Sequence, residues 1–199
     1  RGEVIRGLCD AARAAGRLAI TVELDPQRPE RAGLVAVVLA VPGQPPAYVP
    51  LGHRYIGAPA PPAPMDLAPL HAVLADPDVA KIAHDAKTVI RAFARLGVAV
   101  AGVREDTMLA AFLLDPTADA EAAEAVAGRL GGATLPTRQT IAGRGKAHAS
   151  LEAVPVERAA PWAGSIAHAV LAIGDGLPER LAGSGLAALY RDVELPVAA

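Results

Sequence analysis

The sequence has little of several residue types that define whole classes of protein. Cys9 is its one cysteine, so an internal disulfide and a thiolate metal site are both excluded. Aromatic residues make up 3% of the chain, and we expect a core of Ala, Val, Leu and Ile instead. No run approaches the roughly 20 apolar residues that a membrane span needs, and residues 1–4 show no signal-peptide pattern. We therefore expect a cytoplasmic protein with no membrane contact.

An excess of one charge is missing as well. The chain has 19 basic and 21 acidic residues, a formal net charge of −2, whereas nucleic-acid-binding domains are typically strongly basic. Any nucleic acid would be bound weakly, through a local patch. Hydrophobic residues make up 52% of the 199 residues, which excludes a disordered chain and suffices for one domain. Because the chain starts without Met, we expect a single domain, residues 1–199, that is a fragment of something longer.

Apolar patterns predict a sheet in the first half of the chain and helices in the second. The predicted strands are 18–24, 34–41 and 47–50, joined as a meander, and then 79–83 and 98–103 on either side of a helix. The predicted helices are 4–15, 66–74 with Asp66 as N-cap, 85–96, 106–114, 119–130, 150–153, 156–181 and 187–193. The sequence therefore predicts an α/β fold with a mostly helical second half.

Six short stretches carry a family resemblance. They are LAITVELD (18–25), AYVPLGHRY (47–55), DLAPLHAVLADPDVAKIAHDAK (66–87), EDTMLAAFLLDPT (105–117), IAGRGKAHASLEAVPVERAAPWA (141–163) and LYRDVELPV (189–197). In this order they resemble the 3′→5′ exonuclease (proofreading) domain of bacterial family A DNA polymerases, the DNA polymerase I type. The resemblance implies a ribonuclease H-like mixed β-sheet flanked by helices. It also implies two partners, DNA and the C-terminal polymerase domain of the same chain, in a DNA-directed DNA polymerase of replication and repair.

The resemblance further implies two-metal hydrolysis, in which four carboxylates hold two Mg²⁺ ions and a Tyr orients water. The family's D-x-E, N-x-x-x-D and Y-x-x-x-D motifs fall on Thr21 and Glu23, Asp85 and Val89, and Trp162 and Ile166. Three of the four carboxylates and the Tyr hydroxyl are thus replaced. No acid between Arg158 and Gly174 can take the place of the last one. We therefore expect an inactive exonuclease-like domain without a cofactor, whose cleft has become hydrophobic core through packing of Val89, Trp162 and Ile166.

Alternative interpretations remain open at this stage. An active exonuclease with rearranged ligands would hold Mg²⁺ through Glu23 and Asp85, the two weak metal candidates. Glu23 is otherwise a surface or capping carboxylate, and Asp85 a helix N-cap. Trp162 is either a core residue or a platform for a base. We expect His84 to be solvated or hydrogen-bonded and Asp106 to be an N-cap. A stand-alone ribonuclease H-like scaffold that binds a protein partner is a third hypothesis.

One loop is the candidate for contact with DNA. RQTIAGRGK (138–146) carries Arg138, Arg144 and Lys146 beside two glycines. Glycine lets backbone N–H groups approach phosphates closely. A solvated turn is the competing interpretation of this loop.

Overall fold

The computed structural model describes residues 2–25, 33–143 and 150–198. Within these ranges the chain forms a five-stranded mixed sheet in the order β3-β2-β1-β4-β5. The strands are β1 (Arg17–Leu24), β2 (Leu34–Ala40), β3 (Ala47–Pro50), β4 (Ala80–Ala83) and β5 (Val103–Asp106). The first three pair antiparallel as the predicted meander, whereas β4 and β5 pair parallel, β4 against β1 and β5 against β4.

Helices cover both faces of this sheet. They are α1 (Gly2–Ala15), α2 (Pro64–Ala75), α3 (Ala86–Ala94), α4 (Thr107–Leu114), α5 (Ala123–Gly131), α6 (Arg138–Ala142), α7 (Val156–Gly183), α8 (Ala187–Leu189) and α9 (Leu195–Ala198). A 3₁₀ turn (Leu151–Ala153) precedes α7, and a π-helical segment (Tyr190–Glu194) joins α8 to α9. The ribonuclease H-like mixed sheet flanked by helices is thereby confirmed. None of the helices in the described ranges is both long and apolar enough to cross a membrane.

Side-chain alternation along β1 decides what lies on each face of the sheet. Leu18 and Ile20 pack into a core with α1, α2 and α3, whereas Ala19 packs into a second core with α7. Because successive side chains of a strand point to opposite faces, Thr21 and Glu23 lie on the α7 side with Ala19. The strand that carries the D-x-E positions therefore presents them to the long helix.

A third core lies beyond β5, between the second half of α7 and the C-terminal helices. Its buried residues include Ala110 of α4, Val126 of α5, Leu177 of α7, and Tyr190. The Tyr190 hydroxyl also accepts a hydrogen bond from the backbone N–H of Asp106 at 2.7 Å. This contact fixes the C-terminal segment to the end of β5.

Several predicted boundaries are wrong for local reasons. Helix α2 begins at Pro64, which suits the first helical position, and the Asp66 carboxylate accepts the Ala63 N–H at 3.3 Å from the third position instead of capping the helix itself. Strand β5 begins only at Val103, because Gly102 adopts a left-handed φ of +70° and ends the preceding loop. The other helices and strands lie within a few residues of their predicted ranges, apart from two short helices. Helix α6 was predicted as loop, and α9 was not predicted.

Candidate functional site

The ends of several elements surround one cleft of ≈ 710 Å³ on the α7 side of the sheet. Residues from five segments line it: the end of β1, the start of α3, the chain at the start of α5, the first residue of α6, and the first half of α7. They include Thr21, Glu23, His84, Asp85, Thr88, Glu121, Glu124, Arg138, Trp162 and Ile166. Five of the six positions that the resemblance assigns to the catalytic centre thus meet in this cleft.

Glu23 is the one family carboxylate that this chain retains, and it is neither exposed nor a cap. Its side chain is buried, with 7% of the residue accessible. Burial raises the pKa of its carboxyl from the ordinary 4.5 to about 7, against the opposing effect of Arg138. Arg138 Nη1 donates to Glu23 Oε2 at 3.3 Å. The interpretation of Glu23 as a surface or capping carboxylate is therefore wrong.

Asp85 caps helix α3, as predicted. Its carboxylate accepts the Thr88 backbone N–H at 3.0 Å and the Thr88 hydroxyl at 2.5 Å. The residue adopts a left-handed φ of 59°, a conformation that Asp tolerates better than most side chains. Both carboxylate oxygens of Asp85 are therefore already used as acceptors within its own turn.

Neighbouring polar residues hold this turn in place. The His84 ring lies with Nδ1 2.9 Å from Thr107 Oγ1 and Nε2 3.0 Å from the Glu121 carbonyl oxygen, so the expectation of a hydrogen-bonded histidine is confirmed. Asp106 caps α4 by accepting the N–H groups of Met108 and Leu109, which confirms its predicted role.

The residues at the replaced catalytic positions lie in different environments. Trp162 is a buried residue, as predicted, and its Nε1 donates to the Pro136 carbonyl at 2.9 Å. Trp162 and Ile166 form the apolar wall of the cleft, while Thr21 Oγ1 is buried beside them with no hydrogen-bond partner in the described part of the chain. Val89 packs instead in the core on the other face of the sheet. The predicted packing of Val89 with Trp162 is wrong, and the cleft is not filled by hydrophobic core.

Arg138 is the first residue of a helix rather than part of a loop. Its side chain reaches into the cleft, where Nη1 bonds Glu23 and Nη2 donates to the Leu24 carbonyl at 3.3 Å. The other two candidate DNA contacts, Arg144 and Lys146, lie outside the described residues.

Two glutamates that sequence reasoning missed also line the cleft. Glu121 and Glu124 belong to the chain at the start of α5, and Glu124 Oε1 accepts the backbone N–H of Arg138 at 3.1 Å. They follow no motif of the family, so only their position in the folded chain reveals them.

The cleft nevertheless does not form a cluster of metal ligands. Among residues 2–25, 33–143 and 150–198, no three His, Cys, Asp or Glu side chains are placed so that they could hold one ion together. Glu23 is paired with a guanidinium and Asp85 is engaged by Thr88. The residues present do not fit the two-metal centre that the resemblance implies.

Comparison with known proteins agrees with this fold. A family model described as the DNA polymerase I, ribonuclease H-like domain matches residues 60–162. Two similar solved structures are the POL domain of Pol1 from M. smegmatis in complex with DNA primer-template and dNTP, and Escherichia coli RNase D. The first has a TM-score of 0.73 and 23% identity and covers 98% of this chain and 29% of the other. The second has a TM-score of 0.72 and 19% identity and covers 98% and 47%.

Curated relatives give the same assignment at higher identity. DNA polymerase I of Pseudomonas aeruginosa is 32% identical over 184 residues, which are 89% of this chain and 20% of the relative. DNA polymerase I of Chloroflexus aurantiacus is 31% identical over 192 residues, which are 96% of this chain and 20% of that relative. The chain thus spans about a fifth of the length of these relatives. It belongs to the ribonuclease H-like, 3′→5′ exonuclease domain family of DNA polymerase I.

Proposed function

We propose that this domain is inactive as an exonuclease and serves as structural support for the polymerase domain of a DNA polymerase I type enzyme. The observation that carries the proposal is the pairing of Glu23 with Arg138 in the cleft. A two-metal mechanism needs several carboxylates whose oxygens are free to bind cations. Here one oxygen of the retained carboxylate is engaged by a side chain of the same domain.

The long helix supports the same conclusion. The last family carboxylate would come from α7, whose cleft-facing positions are Trp162 and Ile166. An apolar wall disfavours a bare cation because it offers no ligand to replace lost water. Two Mg²⁺ ions would bring four positive charges into a cleft that already holds the Arg138 guanidinium.

The packing of the second half of the chain supports a structural role. Helix α7 packs against the sheet along its first half and against α4, α5 and Tyr190 along its second half. At the end of the described chain Leu189, Val193 and Val197 are exposed apolar residues. A polymerase domain of the same chain would cover such residues. We place this role in the cytoplasm, in DNA replication and repair.

Contact with DNA is a weaker part of the proposal. The guanidinium of Arg138 is engaged by Glu23 and Leu24, which leaves Arg144 and Lys146 as candidates. With a net charge of −2, the domain would hold DNA weakly and lose it readily as salt increases.

An active exonuclease with rearranged ligands is the second candidate function. Glu121 and Glu124 favour it, because with Glu23 and Asp85 they make four carboxylates around one cleft. Mg²⁺ would be its cofactor. The separation of these carboxylates and the hydrogen bonds that Asp85 and Glu124 already accept argue against an active exonuclease.

Nuclease assays decide between the two functions. The chain is incubated with 3′-end-labelled single-stranded DNA and Mg²⁺ or Mn²⁺, beside Glu23→Ala prepared in the same way. We expect no shortening above the variant, because Glu23 is unavailable to a metal. Shortening that Glu23→Ala abolishes would reject the inactive domain and establish the alternative.

Metal removal gives an independent prediction. The melting temperature should be the same in EDTA, Mg²⁺ and Mn²⁺, because a ligand stabilises a protein only if it binds the folded state. A site saturated at about 100 times its Kd would add about 2.7 kcal/mol, which a thermal melt resolves easily. A metal-dependent rise that is lost in Glu23→Gln would contradict the prediction.

A further inference from the structure

Arg138 is bound into the cleft by its side chain on one side and its backbone on the other. The guanidinium bonds Glu23 Oε2 and the Leu24 carbonyl, each at 3.3 Å. The Glu23 side chain is only 9% accessible, whereas that of Arg138 is 34% accessible. The cation therefore closes over the buried carboxylate from the solvent side.

Two neighbours fix where Arg138 starts its helix. Glu124 of α5 accepts the backbone N–H of Arg138 at 3.1 Å. Trp162 of α7 donates its indole N–H to the carbonyl of Pro136, two residues earlier, at 2.9 Å. The Trp at the family's Tyr position thus forms a hydrogen bond to the segment that directly precedes Arg138.

We propose, as an extension of the proposed function, that Arg138 is the resident cation of the former metal centre. Its guanidinium supplies the positive charge that the buried Glu23 carboxylate needs, and Trp162 and Glu124 are positioning residues that hold it there. Arginine suits this task because it stays charged at any physiological pH and presents several donors in a rigid plane. An unpaired buried carboxylate is strongly unfavourable, and the adjacent guanidinium offsets part of that cost.

A double-mutant cycle tests the pairing at pH 8. Urea unfolding of the whole 199-residue chain is measured for the parent, Arg138→Met, Glu23→Gln and the double variant. We expect the two substitutions to be coupled by about tenfold or more in the unfolding equilibrium constant, as for buried neighbouring charges. If Arg138→Met does not fold, Arg138→Lys, which keeps the charge without the planar fork, should give a smaller but measurable coupling.

An ion pair with a far more exposed carboxylate provides the control. Arg129 and Asp115 are 3.5 Å apart with side chains 25% and 46% accessible, and Arg129→Met with Asp115→Asn should couple by less than about threefold. Coupling between Arg138 and Glu23 that does not exceed this control would overturn the proposal.

The positioning role has its own readout. The cycle is repeated in a Trp162→Phe background, which keeps an aromatic ring but removes the N–H that bonds Pro136. Coupling between Arg138 and Glu23 should fall severalfold there, and unchanged coupling would reject Trp162 as a positioning residue.

The cycle uses neither DNA nor metal, so its outcome is independent of the nuclease assay. Nuclease activity would reject the proposed function whatever the cycle shows, whereas an inactive domain without coupling would reject only the role of Arg138.

Discussion

Replacing Asp106 by Ala should lower the free energy of unfolding by about 3–5 kcal/mol, a large fraction of a typical domain's stability. The residue is 1% exposed, and its two oxygens accept four backbone N–H groups. Two come from the start of α3, at Asp85 and Ala86, and two from the start of α4, at Met108 and Leu109. Each buried N–H left without an acceptor costs about 1–3 kcal/mol. A water molecule that occupies the vacated space and accepts some of these N–H groups would offset part of the total cost.

Urea unfolding followed by circular dichroism measures this loss, and two variants bracket it. Asp106→Asn keeps Oδ1, which accepts three of the four groups, so it should lose about 1–3 kcal/mol through the Ala86 N–H alone. Asp119→Ala removes a similar carboxylate that accepts the Glu121 and Ala122 N–H groups at an exposed turn, and should lose only about 1 kcal/mol. Equal losses at Asp106 and Asp119 would contradict the prediction.

Asp106 also shows how the fold controls the cleft. By bonding Asp85 and Ala86 it holds the left-handed turn from which His84 and Thr88 face the cleft. The sequence predicted Asp106 as a cap of its own helix, because the preference for Asp before a helix is local. Its bonds to the start of α3 span 20 and 21 residues and leave no local pattern.

The sheet was predictable because its longest strands coincide with runs of apolar residues in the sequence. Residues 35–41 are all buried, so the continuous run in LVAVVLAV follows directly from burial on both faces of β2. Boundaries were less predictable where a single residue decides them. Gly102 delays β5 by five residues, since its φ of +70° interrupts an apolar stretch that otherwise resembles a strand.

The site was predictable as far as strand and helix periodicity reach. Thr21 and Glu23 share a strand face, and Trp162 and Ile166 share a helix face, so both pairs were correctly grouped. Val89 was misplaced because α3 turns its apolar stripe of Ala86, Val89 and Phe93 toward the core.

The pairing of Arg138 with Glu23 was missed for a different reason. Arg138 pairs with a carboxylate 115 residues earlier in the chain, and nothing near either residue encodes that contact. The local glycines suggested a phosphate-binding loop instead. An ion pair between residues so far apart in the sequence can be identified only in the folded structure, where α6 lies at the end of β1.

Glu23→Gln should stabilise the domain at high pH and leave it nearly unchanged at low pH. The carboxyl of Glu23 has its pKa raised from 4.5 to about 7 in the folded chain, because burial disfavours its charged form. Below about pH 4.5 it is protonated in both the folded and the unfolded chain. Between pH 4.5 and 7 the folded chain still holds a proton that the unfolded chain has released, so stability falls as pH rises.

The amide of Gln cannot ionise, so the variant escapes this fall. The gain in the free energy of unfolding should be small near pH 4.5 and reach about 2–3 kcal/mol by pH 8–9. The opposing attraction of Arg138 is already part of the raised pKa and is therefore included in this gain. In the variant, Arg138 keeps the Leu24 carbonyl and partial contact with solvent. Glu179→Gln, at an exposed position of α7, should change stability by less than about 0.5 kcal/mol at either pH. A gain for Glu23→Gln that is as large at pH 4.5 as at pH 8 would contradict the prediction. It would mean that packing of the amide, rather than release of a buried charge, stabilises the variant.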